Sequence, residues 1–214
     1  MMLLHPPALA VPPESGQGGL LLCEATGEAE LEAVFRFRYE HHFRQFPTDF
    51  PGVDHAKAVA FEPHDLNAAH YCVRAADDSL LAVSTSIPAL HPGIPPAWPA
   101  WFGFRLLGGH RLGRTVVNTR MVLHPDMRGT GFFLRFRLAV LLRCRQDGFF
   151  LALHYCSPEL APRYESLGHR LHHGPFRLPS GELRVPMVMD LRDLEPPAGS
   201  GAPQEITGQE ARPA

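Results

Sequence analysis

The chain has 214 residues, 45% of them hydrophobic and 20% charged, with 20 basic against 22 acidic side chains. That length and apolar content suffice for one domain with a sizeable core. A net charge of −2 excludes a generally basic nucleic-acid binder and a strongly acidic, solvating protein.

Proline punctuates the chain. Of 22 Pro, four lie at positions 6–13, five between Pro88 and Pro99, and four after residue 195. The outer clusters read as disordered tails over 1–18 and 195–214, leaving a single domain over 19–194. The middle cluster reads as a long loop or insertion over 88–110. Residues 1–13 lack the basic n-region of a signal peptide, and no run of about 18 apolar residues exists. The expectation is a soluble, cytoplasmic protein without a membrane span.

In chain order, Leu20, Leu21, Leu22 and Cys23 read as a first strand. Residues 28–43 place Leu31, Val34, Phe35, Arg38, Tyr39 and His42 on one helical face, with Glu28 and Glu30 in the favourable first turn. An Arg and a His that continue an apolar stripe either line a cleft or snorkel at a helix end. Residues 70–74 and 80–87 are strands of a hairpin around Asp77, Asp78 and Ser79. Residues 115–123 form another strand, ended by His124 and Pro125. A glycine-bearing loop at 126–131 then opens into a helix over 132–146 that carries Arg135, Arg137, Arg143 and Arg145. These arginines read as a solvated face, or as a docking surface for an acidic carrier protein. Residues 149–156 are a buried strand, 159–167 a short helix stopped at Gly168, and 181–190 a closing strand. The order β-α-β-β-β-α-β-α-β makes an α/β domain around one mixed sheet.

Metal and disulfide chemistry find no pattern. Cys23, Cys72, Cys144 and Cys156 show neither CxxC spacing nor a dense framework, so reduced thiols are expected. Thirteen His include no HExxH and no paired ligand spacing, so no metal site is expected. The informative unit is 115–146. A tight loop with Arg128, Gly129, Thr130 and Gly131 running straight into a helix offers backbone N–H groups, a helix dipole and an adjacent cation to a phosphate.

On these residues the sequence resembles the GNAT superfamily of acyltransferases over about residues 28–191. The family's R/Q-x-x-G-x-G/A loop corresponds to RGTGFF at 128–133, and its YExxGF element to YESLGH at 164–169. Phe133 replaces the last small residue of the loop, and His169 replaces the usual Phe. A narrower likeness is to acyl-homoserine-lactone synthases and long-chain N-acyl amino acid synthases. It rests on RFRYE at 36–40, DLNAAH at 65–70, and Thr119 with Arg120. Val117 stands where that branch has a Glu, and Phe43 to Phe46 (FRQF) where the lactone synthases have a Trp.

The resemblance implies a single GNAT-fold domain that moves an acyl group, fatty in character, from a thioester to an amine. The donor is an acyl carrier protein's phosphopantetheine or acyl-coenzyme A, and the acceptor an amine of an amino acid or peptide side chain. The competing readings are a lactone synthase and a non-catalytic module that binds an acyl or lipid carrier. Arg128, Gly129, Thr130, Gly131, Phe132 and Phe133 would hold the donor. The strand segment through Val122 and Leu123 would offer a backbone N–H to the oxyanion. Tyr164 falls at the family's general-acid position. Base candidates are Glu40, Asp65, His70 and His154, while Arg38, Asp65 and His70 are expected at the substrate. Arg120, mid-strand among apolar neighbours, requires a carboxylate partner: the acceptor's, or Glu40. Phe35, Phe102, Phe104, Phe132, Phe133, Phe136, Phe149 and Phe150 are either core or the walls of an acyl tunnel.

Overall fold

The computed structural model describes residues 9–11, 20–45 and 52–194. The tails expected over 1–18 and 195–214 lie outside the described residues, apart from Leu9–Val11 (β1), which pairs antiparallel with Leu20–Ala25 (β2). Glu28–Arg38 (α1) follows, acidic in its first turn and basic in its last, as the helix dipole favours. The α-helix does not run on to residue 43. Tyr39–Phe43 forms a π-helical turn instead. The wider turn shifts the stripe by one residue, so Tyr39 and Phe43 are buried while His42 is exposed.

A small ribbon, Val53–Asp54 (β3) and Val59–Ala60 (β4), presents the exposed Lys57 in its turn. Ala69–Arg74 (β5) and Leu80–Pro88 (β6) form the expected hairpin, with Asp78 left-handed at φ 68°. The proline-rich stretch is not a plain loop. It contains Trp98–Trp101 (α2) and Gly108–Leu112 (α3), and its Trp98, Phe102 and Phe104 pack against Ile87, Val117 and Leu153. Burial of three large rings is what orders a segment so rich in proline. Thr115–Leu123 (β7) and Phe132–Gln146 (α4) come next, then Leu151–Cys156 (β8) and Ala161–Glu165 (α5). α5 is shorter than the sequence pattern suggests. Pro158 opens a 3-10 turn, and Pro162 sits where its missing N–H does no harm, in the helix's first turn. Arg170–Leu171 (β9), Phe176–Arg177 (β10) and Leu183–Asp190 (β11) complete the described chain.

The main sheet has the order β1-β2-β5-β6-β7-β8-β11-β10, with β9 also on β11, and every pairing is antiparallel except β7 with β8. Alternation sorts the two faces. Tyr71, Val73, Ala82, Val116 and Ala152 pack under α4, whereas Cys72 and Val83 pack against Val34 and Phe37 of α1. The arginines of α4 do not form a solvated face: Arg137 and Arg143 are buried. Arg143 is answered by Glu24 and Asp147, each at 3.1 Å, which removes it from any docking surface.

Candidate functional site

Strands β7 and β8 pair only over Thr115 to Val117 and Leu151 to Leu153, although they run on to Leu123 and Cys156. The pair therefore splays, and a cavity of about 260 Å³ opens between the strand ends. A bulge accompanies the splay. The β6–β7 register jumps between Val83 and Thr85, which leaves Arg120 and Met121 together opposite Ser84. Arg120 takes φ 53°, a left-handed conformation that costs about 1 kcal/mol or more in a non-glycine residue. Its side chain holds it there: the guanidinium pairs with Glu62 and lies 4.8 Å over the Phe43 ring. Glu62, not Glu40, is thus the carboxylate that Arg120 requires. Beyond Val117 and Leu153 the two backbones face the cleft rather than each other, which suits an extended, amide-bearing ligand arm.

Three elements converge on the cleft wall. Tyr164 comes from α5, His154 from β8 and Arg137 from α4. The Tyr164 and His154 ring centroids are 4.2 Å apart, and His169 lies edge-on to His154 at 4.4 Å. Arg137 Nη2 donates to His154 Nδ1 at 3.1 Å. Because arginine only donates, Nδ1 carries the lone pair and Nε2 the proton. Burial, reinforced by Arg137 and His169, holds the His154 imidazole well below its ordinary range. His154 is therefore neutral, with its basic nitrogen already engaged. Burial also raises the Tyr164 phenol, which keeps it protonated at neutral pH.

Arg38, Asp65 and His70 are brought together, but on the α1 face and with each other. Arg38 Nη1 donates to Asp65 Oδ1 at 3.0 Å, and Nη2 reaches both His70 Nδ1 at 2.9 Å and the Thr85 hydroxyl. His70 Nε2 donates to the Asp65 carbonyl at 2.8 Å, while Asp65 Oδ2 accepts from the Glu62 backbone N–H at 2.8 Å. Asp65 and Glu62 also cap the 3-10 turn Pro63–Asn67 reciprocally. Glu40 is exposed and pairs with Arg44 at 2.7 Å. None of the four base candidates presents a free lone pair to the cleft.

At the N-terminus of α4, Gly129 and Gly131 take φ 77° and 76°. A Cβ at Gly129 would meet nothing within 4 Å, so glycine is there for its backbone angle. Arg128 is exposed, and its Nη2 donates to the His41 carbonyl at 3.1 Å, tying the loop to the π-turn. The Thr130 hydroxyl donates to Met127 O at 2.8 Å. Phe133 leans toward α5, edge-on to Tyr164 at 5.7 Å and under Arg163. Val122 lines the cleft and Leu123 does not. Phe102, Phe104, Phe132 and Phe136 are core. The residues the sequence reading missed are Glu62 and Arg137. Arg137 is spaced with Val140, Leu141 and Cys144 at i, i+3, i+4 and i+7, all buried, and that stripe was the available signal.

The mixed sheet with its one splayed parallel pair, the glycine loop and the helix that follows make this a GNAT-type α/β fold. Solved structures with the same fold include MesI, a CoA-dependent acyl-homoserine lactone synthase, at 20% identity over 75% of this chain and 80% of that one (TM-score 0.60). FeeM, an N-acyl amino acid synthase from uncultured soil microbes, matches at 12% over 81% and 92% (TM-score 0.60). A Lactobacillus plantarum protein described as an N-acetyltransferase by inference matches at 16% over 80% and 98% (TM-score 0.57). No family model and no curated protein matches the sequence. Among the described residues no group of His, Cys, Asp and Glu is arranged to hold a metal, and no helix is long and apolar enough to cross a membrane.

Proposed function

We propose that the protein is an N-acyltransferase that moves a fatty acyl group from a coenzyme A or acyl-carrier-protein thioester to the amine of an amino acid or peptide. The observation that carries the reading is the splayed β7–β8 cleft with a protonated tyrosine on its wall. The donor's amide-bearing arm lies between the strands, its phosphate at Arg128 and the loop amides of 129–133. The thioester carbonyl meets a backbone N–H of the 121–123 segment. The amine attacks, a tetrahedral oxyanion forms, and the carbon–sulfur bond breaks. Tyr164 gives its proton to the departing sulfur. With no free lone pair from Glu40, Asp65, His70 or His154 in the cleft, the amine's proton leaves through water.

Thiol release on mixing acyl thioester and amine tests the activity, and S-adenosylmethionine offered as the amine tests the lactone-synthase alternative. Tyr164→Phe keeps the ring and removes one hydroxyl, so kcat falls about 10²-fold with the donor's KM little changed. A thiol leaving group of low pKa partly restores the rate. Full activity of Tyr164→Phe with an ordinary pantetheine thioester would reduce the tyrosine to packing. Arg128→Ala raises the donor's KM and spares a truncated thioester that carries no phosphate.

A further inference from the structure

Among the described residues, carboxylates answer the buried Arg38 and Arg143 and the half-buried Arg120, but not the buried Arg137. Arg38 has Asp65, Arg120 has Glu62, and Arg143 has Glu24 and Asp147. Arg137 is 3% exposed, and among the described residues no carboxylate lies within 4.0 Å of it. Its one side-chain partner is the neutral His154, and its Nε has none. A buried cation in that state is costly to keep unless something outside the chain supplies the negative charge. It lines the cleft, where such a group can arrive.

We propose that Arg137 recognises a carboxylate on the acceptor, so that the acceptor is a free carboxylate-bearing amine such as an amino acid. This rests on the acyl-transfer reading and narrows its acceptor class. A planar fork with unused donors matches a carboxylate in both shape and charge. The donor's phosphate is the wrong partner. Arg137 sits five residues past the start of α4, about 7.5 Å down its axis, on the face turned into the protein.

The test compares each of the twenty amino acids with its carboxamide as acceptor, using an acyl-coenzyme A donor and reading thiol release. The parent prefers its best acid over the matching carboxamide by at least about 10²-fold in kcat/KM. Arg137→Met loses most of that preference through the KM of the acid, while the carboxamide changes less than about threefold. Arg137→Lys, which keeps the charge without the fork, falls between. A second reading needs no turnover: the parent's melting temperature rises with an N-decanoyl amino acid and not with its carboxamide, and Arg137→Met abolishes the difference. If no amine is acylated but this binding preference appears and is lost in Arg137→Met, acyl transfer fails and the carboxylate site stands. If the parent shows no preference for the acid in either measurement, or Arg137→Met keeps it, the assignment is overturned.

Discussion

Arg38 and Arg137 are buried to nearly the same degree, 1% and 3% exposed, on opposite faces of one sheet. Arg38 lies on the α1 face with His70 and Thr85, while Arg137 lies under α4 with His154. The first is closed into a knot. Carboxylate, imidazole, hydroxyl and two backbone groups account for nearly every polar atom, with only Arg38 Nε left over. The second is left open: Arg137 Nε, His154 Nε2 and both nitrogens of His169 have no hydrogen-bond partner among the described residues. A closed network of this kind positions elements, because every member is held by another. An open one has bonding capacity that water or a ligand must satisfy. The knot joins α1, the turn before β5, and, through Glu62, the bulged Arg120, so its work is to hold the cleft's shape from behind.

The largest effect should come from opening the knot. Arg38→Met leaves Asp65 as a buried, unpaired charge and should cost about 3–5 kcal/mol in urea unfolding. A loss below about 1 kcal/mol would mean the network is not closed as described. The next concerns acid. Burial draws His169 down from 6.5 to about 3, so the folded state binds its proton later than the unfolded chain does. The stability this neutral imidazole contributes is complete above about pH 6.5 and declines toward pH 3, at up to about 1.4 kcal/mol per pH unit. His169→Phe should flatten the acid limb of the stability curve by that slope. An unchanged limb would show that His169 titrates normally. The smallest effect, and the one whose sign matters most, is Arg137→Met. Removing an unanswered cation and losing one bond to His154 nearly cancel, so stability should stay within about 1 kcal/mol of the parent, on the favourable side. A loss of 3 kcal/mol would make Arg137 a structural residue like Arg38.

Local pattern carried much of this into view. The strand at 115–123 and the helix at 132–146 have the bounds expected of them, the strand in spite of the bulge within it. The end of α1 was not legible, since a π-turn needs no special residue and merely shifts which side chains are buried. Nor was the bulge at Arg120, where a positive φ is held by Glu62, 58 residues earlier in the chain, instead of by a glycine. The short helices of the proline-rich stretch depend on rings meeting Ile87, Val117 and Leu153 in three dimensions. For the site, Tyr164 and His154 meet as neighbours in the cleft, and Arg38, Asp65 and His70 meet as one network, but away from it. Segment patterns bring out which residues are unusual. Which face of the sheet each occupies is decided by alternation across strands distant in sequence.

Lys57, exposed in the β3–β4 turn, is the only lysine in the chain and does not line the cleft. Every other basic side chain that could meet an activated ester is a guanidinium or an imidazole. Amine-selective reagents therefore have a single side-chain address. A fluorophore or a surface tether can be attached there without touching Arg137, Arg128 or Tyr164, and only the α-amino group competes with it for the reagent.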